Sequence, residues 1–185
     1  MKKIIVIVFF FILSINTVYA DKKTVKLVNC IDGDTARFKL NKEEIKVRFL
    51  GIDTPETVKP NKKEEPYGKK ASNYTCSKLK KANKIEIEYD EKSDKVDMYG
   101  RTLAYVFVDD KLIESLLLKK GYASVKYAKT SFKYYNELIE AEEYAKKKKV
   151  GIYSANEVVE AEELADSFIG VIKKYVDKLL AKILR

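Results

Sequence analysis

The sequence predicts an α+β fold, in which a small curled sheet or barrel of five strands is combined with three helices. The chain has 185 residues, the length of one ordinary domain with appendages. Its strand-like segments are short and alternate apolar with polar residues. They occur in the order three strands, a helix, two strands and two helices. This order lacks the regular βαβ alternation of a parallel sheet, so a small curled sheet or barrel is expected instead.

Three strands are predicted in the first third of the chain. The first lies near residues 25–28, the second covers residues 36–40 and the third covers residues 45–49. In the second and third strands every other residue is apolar, so each strand is expected to bury one face. Arg48 occupies a polar position of the third strand and is therefore expected to point away from the core.

The remaining elements follow in the second two thirds of the chain. Strand patterns occupy residues 85–89 and 103–108. Helical patterns occupy residues 67–82, 112–120 and 132–149. The second helix is expected to end at Gly121 and the third near Gly151, because glycine readily adopts the left-handed conformation found at helix ends.

Residues 1–20 have the composition of a cleaved secretion signal. A basic start is followed by the uncharged apolar run Ile4–Leu13 and by small residues leading to Ala20. The run is shorter than the roughly 20 residues that a membrane span requires, and an uncleaved anchor is the alternative. The mature chain is therefore expected to begin at residue 21 and to be secreted, reaching the extracellular or periplasmic space.

The two cysteines, Cys30 and Cys76, leave two alternatives open. Secretion would expose them to an oxidising environment, in which a disulfide can form. Two free, partly buried thiols are the other possibility. Because the chain has no histidine, these cysteines do not make a standard zinc site.

Residues 21–154 are expected to form the main domain, and residues 155–185 an amphipathic C-terminal helical extension. The apolar residues of the extension recur at helical spacing. Its main interpretation is a helix that packs on its own domain or on a second copy of the chain. Contact with a membrane surface or a partner is the alternative. No stable protein partner is predicted.

Charge and composition limit the chemistry. The chain has 37 Lys and Arg against 28 Asp and Glu, a formal net charge of +9, which suggests a polyanionic partner. The absence of histidine excludes Ser-His-Asp and Cys-His hydrolases and His-ligated zinc sites. Catalysis by this chain therefore depends on carboxylates, Lys, Arg, Tyr or a hard metal ion.

Two acidic turns supply candidate metal ligands. Asp34 lies in an Asp-Gly-Asp-Thr turn between the first two strands, and Asp53 lies just after the third. Thr54 precedes Pro55, which biases its backbone to an extended conformation and holds its carbonyl in a defined turn. Carboxylate and carbonyl oxygens are hard ligands that suit Ca²⁺ or Mg²⁺.

Two arginines and a glutamate extend these turns toward phosphoryl chemistry. Arg48 and Arg101 carry guanidinium groups that match phosphate oxygens and stabilise the charge that develops in a transition state. Glu56 follows the second acidic turn, and without histidine a carboxylate is the natural group to activate a water. Whether Glu56 deprotonates that water or only orients it stays open.

These residues resemble the staphylococcal nuclease, or thermonuclease, family. The matching motifs occur in order over residues 24–154: Ile31-Asp32-Gly33-Asp34-Thr35, Arg48, Asp53-Thr54-Pro55-Glu56, Tyr67-Gly68, and Asp97 followed by Tyr99-Gly100-Arg101. The resemblance implies a five-stranded OB-type barrel with three helices. It also implies a Ca²⁺-dependent phosphodiesterase that acts on DNA and RNA and leaves 3′-phosphate products.

The resemblance also implies a role for each matching residue. Asp34, Asp53 and the Thr54 carbonyl correspond to the Ca²⁺ ligands. Glu56 corresponds to the residue that acts on the attacking water, and Arg48 and Arg101 to the phosphate clamp. Tyr99 and Tyr127 match positions that line the nucleotide pocket.

The loop between residues 57 and 65 contributes a further prediction from its composition. Lys62 and Lys63 lie in this basic loop, between Glu56 and the first helix. They are expected to bind the phosphodiester backbone without reading its sequence, and a merely solvated loop is the alternative.

The main competing function is a nucleic-acid-binding barrel of the same family that has lost catalysis. The two differ in the completeness of the site. All five expected groups are present in this chain: Asp34, Arg48, Asp53, Glu56 and Arg101. A degenerate binding domain would not be expected to keep them all, so the sequence favours an active nuclease.

Overall fold

A computed structural model describes residues 22–57 and 65–154, together with positions 169, 170, 172–174 and 176 near the C-terminus. The predicted signal at residues 1–20 lies outside the described residues. So do Lys62 and Lys63 and most of the predicted extension at 155–185.

The described residues form eight strands: β1 Lys23–Asp32, β2 Thr35–Leu40, β3 Glu43–Phe49, β4 Ile52–Asp53, β5 Ile85–Glu88, β6 Thr102–Val108, β7 Lys111–Leu112 and β8 Ser124–Val125. Five of them form a barrel with the antiparallel order β3-β2-β1-β5-β6. The parallel pairing of β3 with β6, in which Val47 faces Thr102, closes it. The predicted α+β class and five-stranded OB-type barrel are thereby confirmed.

Sequence analysis did not predict the three short strands. Strands β4, β7 and β8 have two residues each, too few to show a period of two. Strands β4 and β8 nevertheless pair with each other, with Ile52 opposite Val125 and Asp53 opposite Ser124. This small sheet brings the segment after β8 next to the acidic turn after β3.

The three helices occur where they were predicted, with slightly different ends: α1 Gly68–Lys81, α2 Ile113–Lys119 and α3 Tyr135–Lys148. Helix α3 begins three residues later than predicted, because residues 129–135 make turn hydrogen bonds instead of helical ones. Gly121 follows α2 with a φ of 64°, as expected for a glycine at a helix end. A 3₁₀ turn, Gly151–Tyr153, ends the domain.

Strand β1 is longer than predicted because its alternation is interrupted. Its pairing with β2 shifts register between Leu27 and Asn29 and again between Cys30 and Asp32. Each shift is a bulge or irregularity that breaks the two-residue period on which the prediction depended. The second shift lies immediately before the turn that carries Asp34.

The barrel interior and the packing of the helices supply the hydrophobic core. Fully buried apolar side chains from different strands meet there: Phe38, Val47, Ile87 and Val106. Helices α2 and α3 pack against this core through Leu117, Leu118 and Leu138. Each such side chain contributes roughly 1.5–3 kcal/mol through burial, which makes the barrel a firm support for the turns at its surface.

Cys30 and Cys76 form a disulfide that joins β1 to α1. Of the two alternatives left open by the sequence, the structure therefore has the bridge. The bridge encloses the segment that contains the two acidic turns.

Only six positions of the C-terminal extension are described, and all six are helical. Three apolar side chains there are exposed: Ile169 at 62%, Ile172 at 57% and Val176 at 47%. These three side chains are therefore largely accessible to solvent. Within the described part of the chain, no helix is long and apolar enough to cross a membrane.

Candidate active site

Asp34 lies in the tight turn between β1 and β2 and is only 7% exposed. Its Oδ2 accepts hydrogen bonds from the Thr54 backbone N–H at 2.9 Å and the Thr54 hydroxyl at 3.1 Å. A Cβ on Gly33 would come within 2.6 Å of the Thr54 Oγ1. Glycine at this position therefore lets the two acidic turns approach each other. Helix α1 supports the turn from behind, since the Thr75 hydroxyl donates to the Gly33 carbonyl at 2.6 Å.

Arg48 points away from the barrel interior, as the sequence predicts, but it is buried. It is 8% exposed, because the turn after β3 folds back over its guanidinium. Nη1 donates to the carbonyls of Phe49 at 3.0 Å and Ile52 at 2.7 Å. The alternation of β3 correctly directs the side chain away from the barrel interior, but tertiary contacts then cover it.

The guanidinium of Arg48 also joins the two acidic turns. Its Nη2 lies 2.7 Å from Asp53 Oδ1 and 3.1 Å from Asp34 Oδ2. Two carboxylates from different turns thus converge on one nitrogen atom. This cationic contact offsets the repulsion between the carboxylates, which would otherwise oppose the arrangement.

The donor set fits a hard divalent cation. Asp34, Asp53 and Thr54 are brought together as predicted, and Thr54 is 5% exposed. No group of three or more His, Cys, Asp or Glu side chains suited to a metal occurs among the residues that the structure describes. The hard oxygen donors available at this point are two carboxylates and the backbone carbonyl of Thr54, a combination that suits Ca²⁺ or Mg²⁺ when water completes the coordination.

Lys126 is a site residue that sequence analysis missed. Its Nζ lies 2.8 Å from Asp53 Oδ2, so both oxygens of Asp53 contact cations. The hydrogen bond and the charge of Asp53 raise the pKa of Lys126. Its sequence context shows nothing unusual, because β8 is too short to reveal its pairing with β4.

Glu56 lines the same cleft and is partly exposed. Its backbone is held to Glu65: the Glu56 N–H donates to Glu65 Oε2, and the Glu65 N–H donates to the Glu56 carbonyl, both at 3.1 Å. A Cβ on Gly68 would lie 2.6 Å from the Glu56 carbonyl oxygen. Gly68 at the start of α1 therefore allows the Glu56 turn to pack closely against the helix.

Arg101 is oriented by Asp97, a second residue whose role sequence analysis did not assign. The Arg101 Nε contacts Asp97 Oδ2 at 2.7 Å, and Asp97 Oδ1 accepts the backbone N–H groups of Tyr99 and Arg101. Burial alone would raise the pKa of Asp97, but the hydrogen bonds from Arg101 and Tyr99 lower it overall. An ionised Asp97 thus holds the guanidinium of Arg101 at the edge of the cleft.

A cleft of about 520 Å³ is lined by seven of the predicted residues: Asp34, Arg48, Asp53, Glu56, Tyr99, Arg101 and Tyr127. Thr54 does not line it. Tyr99 and Tyr127 stand at its rim, 74% and 76% exposed. Five lining residues were not predicted as site residues: Ile31, Asp32, Thr35, Lys46 and Thr57. An adjoining groove of about 530 Å³ shares Arg48, Arg101 and both tyrosines and continues toward Lys129 and Phe132. The combined surface offers cations, carboxylates and exposed aromatic rings.

Fold and site together define a small OB-type barrel with a cleft in which paired carboxylates meet several basic side chains. Comparison with known sequences identifies the family. The family profile described as staphylococcal nuclease homologue matches residues 46–155, more than half of the chain. This match begins after Asp34, so the first acidic turn lies outside it. The chain belongs to the staphylococcal nuclease family.

Individual relatives agree with this assignment. A thermonuclease of Staphylococcus hyicus is 39% identical over 135 residues, which cover 73% of this chain and 78% of that protein. A thermonuclease of Staphylococcus intermedius is 42% identical over 123 residues, covering 66% and 71%. The SPbeta prophage-derived endonuclease YokF of Bacillus subtilis (strain 168) is 43% identical over 133 residues, covering 71% of this chain and 44% of that longer protein.

Proposed function

We propose that this protein is a secreted, Ca²⁺-dependent nuclease that hydrolyses phosphodiester bonds of DNA and RNA with little sequence specificity. The observation that carries the proposal is the convergence of Asp34, Arg48 and Asp53 on one point of a cleft that Glu56 and Arg101 also line. The printed names of the relatives, thermonuclease and endonuclease, support the same reaction class.

Binding of the substrate depends on the basic side chains of the cleft. A phosphodiester entering it meets Arg101 at its edge and Arg48 at its base, and both guanidinium groups match phosphate oxygens. The exposed rings of Tyr99 and Tyr127 are available to stack on bases or sugars, which favours binding without sequence preference. Lys62 and Lys63 are proposed to add backbone contacts from their loop.

Hydrolysis requires a water to attack phosphorus while charge builds on the phosphoryl oxygens. We assign the positioning or deprotonation of this water to Glu56. Arg48 and Arg101 stabilise the added negative charge from fixed positions. The proposed Ca²⁺, held by Asp34, Asp53 and the Thr54 carbonyl, would polarise a phosphoryl oxygen when bound. Cleavage of the 5′ P–O bond would leave 3′-phosphate products.

A nuclease assay on the purified protein tests this proposal. The substrates are single- and double-stranded DNA and RNA, each with Ca²⁺, with Mg²⁺ or with a chelator. We expect cleavage that requires Ca²⁺, with products whose 3′-phosphates are removed by a phosphatase. Glu56→Gln and Arg101→Ala should each lower turnover by on the order of 10²- to 10⁵-fold, as for other groups that stabilise a transition state.

Matched controls separate the site from general effects of charge. Glu43→Gln and Arg37→Ala make the same chemical changes on exposed or half-exposed side chains that do not line the cleft, and they should retain activity. Activity that persists in the presence of a chelator would contradict the mechanism, and so would full activity of Arg101→Ala. Binding of nucleic acid without cleavage would instead support the competing function, a binding barrel that has lost catalysis.

A further inference from the structure

Asp53 is held by two cations that differ in their freedom to move. Arg48 contacts Oδ1 with a side chain only 10% exposed, and it is fixed by further hydrogen bonds to two backbone carbonyls. Lys126 contacts Oδ2 at 2.8 Å with a side chain 48% exposed. The arginine is thus built into the turn, whereas the lysine approaches the same carboxylate from the solvent side.

The position of Lys126 follows from its backbone. Strand β8 pairs with β4, and the Lys126 N–H donates to the Gly51 carbonyl at 3.0 Å. Lys126 therefore continues the ladder beyond Val125, as a diagonal neighbour of Asp53 on the same face. The Val125 N–H is in turn anchored by Glu142 of α3 at 2.8 Å. The fold consequently places the backbone of Lys126 where its side chain can reach Asp53.

We propose that Lys126 competes with the metal for the carboxylate of Asp53. This inference rests on the proposed Ca²⁺ site. The ammonium group of Lys126 neutralises Asp53 Oδ2 in the metal-free protein and leaves this oxygen when a divalent cation binds. Calcium lies 2.3–2.6 Å from its oxygen ligands, so an ammonium hydrogen-bonded to the same oxygen would be repelled at close range. Arg48 can stay in place, because it contacts Asp53 Oδ1, Asp34 Oδ2 and two carbonyls and leaves the second oxygen of each carboxylate to the metal.

Displacement of Lys126 would couple metal binding to the charge of the cleft. The four-carbon stem of lysine is flexible, and the released ammonium would stay near Tyr127, whose ring centroid lies 5.4 Å from Nζ. Both residues line the groove that adjoins the cleft. Metal binding would therefore add positive charge and also free a lysine to meet a phosphate of the substrate.

Calorimetric titration of the metal-free protein with Ca²⁺, in the absence of nucleic acid, tests the proposal. Lys126→Met removes the charge and keeps most of the side-chain length. We expect it to bind Ca²⁺ about two- to fivefold more tightly than the wild type, because the strength of a partly exposed ion pair sets the size of the competition. Its melting temperature should fall without metal but not with saturating Ca²⁺, so the thermal shift caused by Ca²⁺ should grow.

Lys46→Met is the matched control. Lys46 lines the same cleft, and among the described residues its ammonium forms no ion pair. Its loss should change the Ca²⁺ affinity by less than twofold. Unchanged or weaker binding by Lys126→Met, or an equal gain in Lys46→Met, would overturn the proposed competition alone. A wild type that binds no Ca²⁺ would overturn the metal site and, with it, this proposal.

Discussion

Arg48 and Arg101 face the same cleft with different supports. Arg48 holds the turn after β3 through the Phe49 and Ile52 carbonyls, so its replacement would disturb the geometry of the acidic turns as well as phosphate binding. Arg101 is held mainly by Asp97 and its side chain is 26% exposed. A substitution of Arg101 is therefore the cleaner test of phosphate stabilisation.

Glu114 is a fully buried carboxyl group outside the cleft. It lies at the start of α2, and its Oε1 accepts the Val106 N–H at 3.0 Å. Burial raises the pKa of Glu114 well above its usual value, and the charge of Glu137 acts in the same direction. Hydrogen bonds from the backbone of Glu114 itself and of Val106, and the charge of Arg48, only partly oppose this increase in the pKa. The folded protein thus favours the neutral form of Glu114.

This burial predicts a pH-dependent difference between Glu114→Gln and the wild type. Below the unfolded pKa of about 4.3, Glu114 is neutral in both states and its burial costs little. Above that pH the unfolded state releases the proton more readily than the folded state. The free energy of unfolding of the wild type therefore falls by about 1.4 kcal/mol per pH unit until the folded pKa is reached. Glu114→Gln should therefore be more stable than the wild type at pH 7 in urea unfolding. The difference should shrink toward pH 4, and a constant difference would contradict the prediction.

At the scale of elements, the disulfide links β1 to α1 across 46 residues of sequence. The enclosed segment contains Asp34, Arg48, Asp53, Thr54 and Glu56. Helix α1 also contacts the first acidic turn directly through Thr75 and Gly33. The bridge therefore restrains the part of the chain that carries most of the site.

Removal of this bridge should lower stability by about 4 kcal/mol, the loop-closure value expected for a segment of this length. The double variant Cys30→Ser/Cys76→Ser would be compared with the wild type by urea unfolding, each with and without a thiol reductant. Reductant should destabilise the wild type to the level of the variant and leave the variant unchanged. The prediction would be contradicted if the stability of the wild type did not change after full reduction of the disulfide. Thiol titration verifies that the reduction is complete.

For the whole molecule, the net charge and the disulfide both agree with the proposal of a secreted nuclease. A net charge of +9 favours encounter with nucleic acids, and a disulfide is typical of proteins outside the reducing cytosol. The three exposed apolar side chains of the C-terminal segment do not contribute to the domain core.

The protein is expected to be exported from the cell. When the full chain is expressed in a secreting bacterium, the protein in the medium or periplasm should begin at residue 21 by intact mass, because residues 1–20 carry a signal-like pattern. A version that lacks residues 1–20 should stay in the cytoplasm. Recovery of the protein in membranes with residues 1–20 retained would instead indicate the uncleaved anchor.

The sequence by itself determined the features that depend on neighbouring residues. Alternation over five or more residues marked β2 and β3, and an Asp-Gly pair marked the turn that joins β1 to β2. Helical spacing and glycine stops marked the helices to within a few residues. Asp34, Arg48, Asp53, Glu56 and Arg101 were predicted from their chemistry and order, because hard oxygen ligands and paired guanidinium groups are recognisable as residue types. Tyr99 and Tyr127 were named only from the resemblance to the family.

Only the tertiary structure decided which distant groups meet. The contact between Lys126 and Asp53 spans 73 residues and depends on two strands too short to show a period. The burial of Arg48, the pairing of β3 with β6 and the choice between a disulfide and two thiols likewise depend on long-range packing. Periodicity reports which face of an element is apolar. Periodicity carries no information on which surface of the protein will cover that face or which charged side chain will lie opposite a given residue.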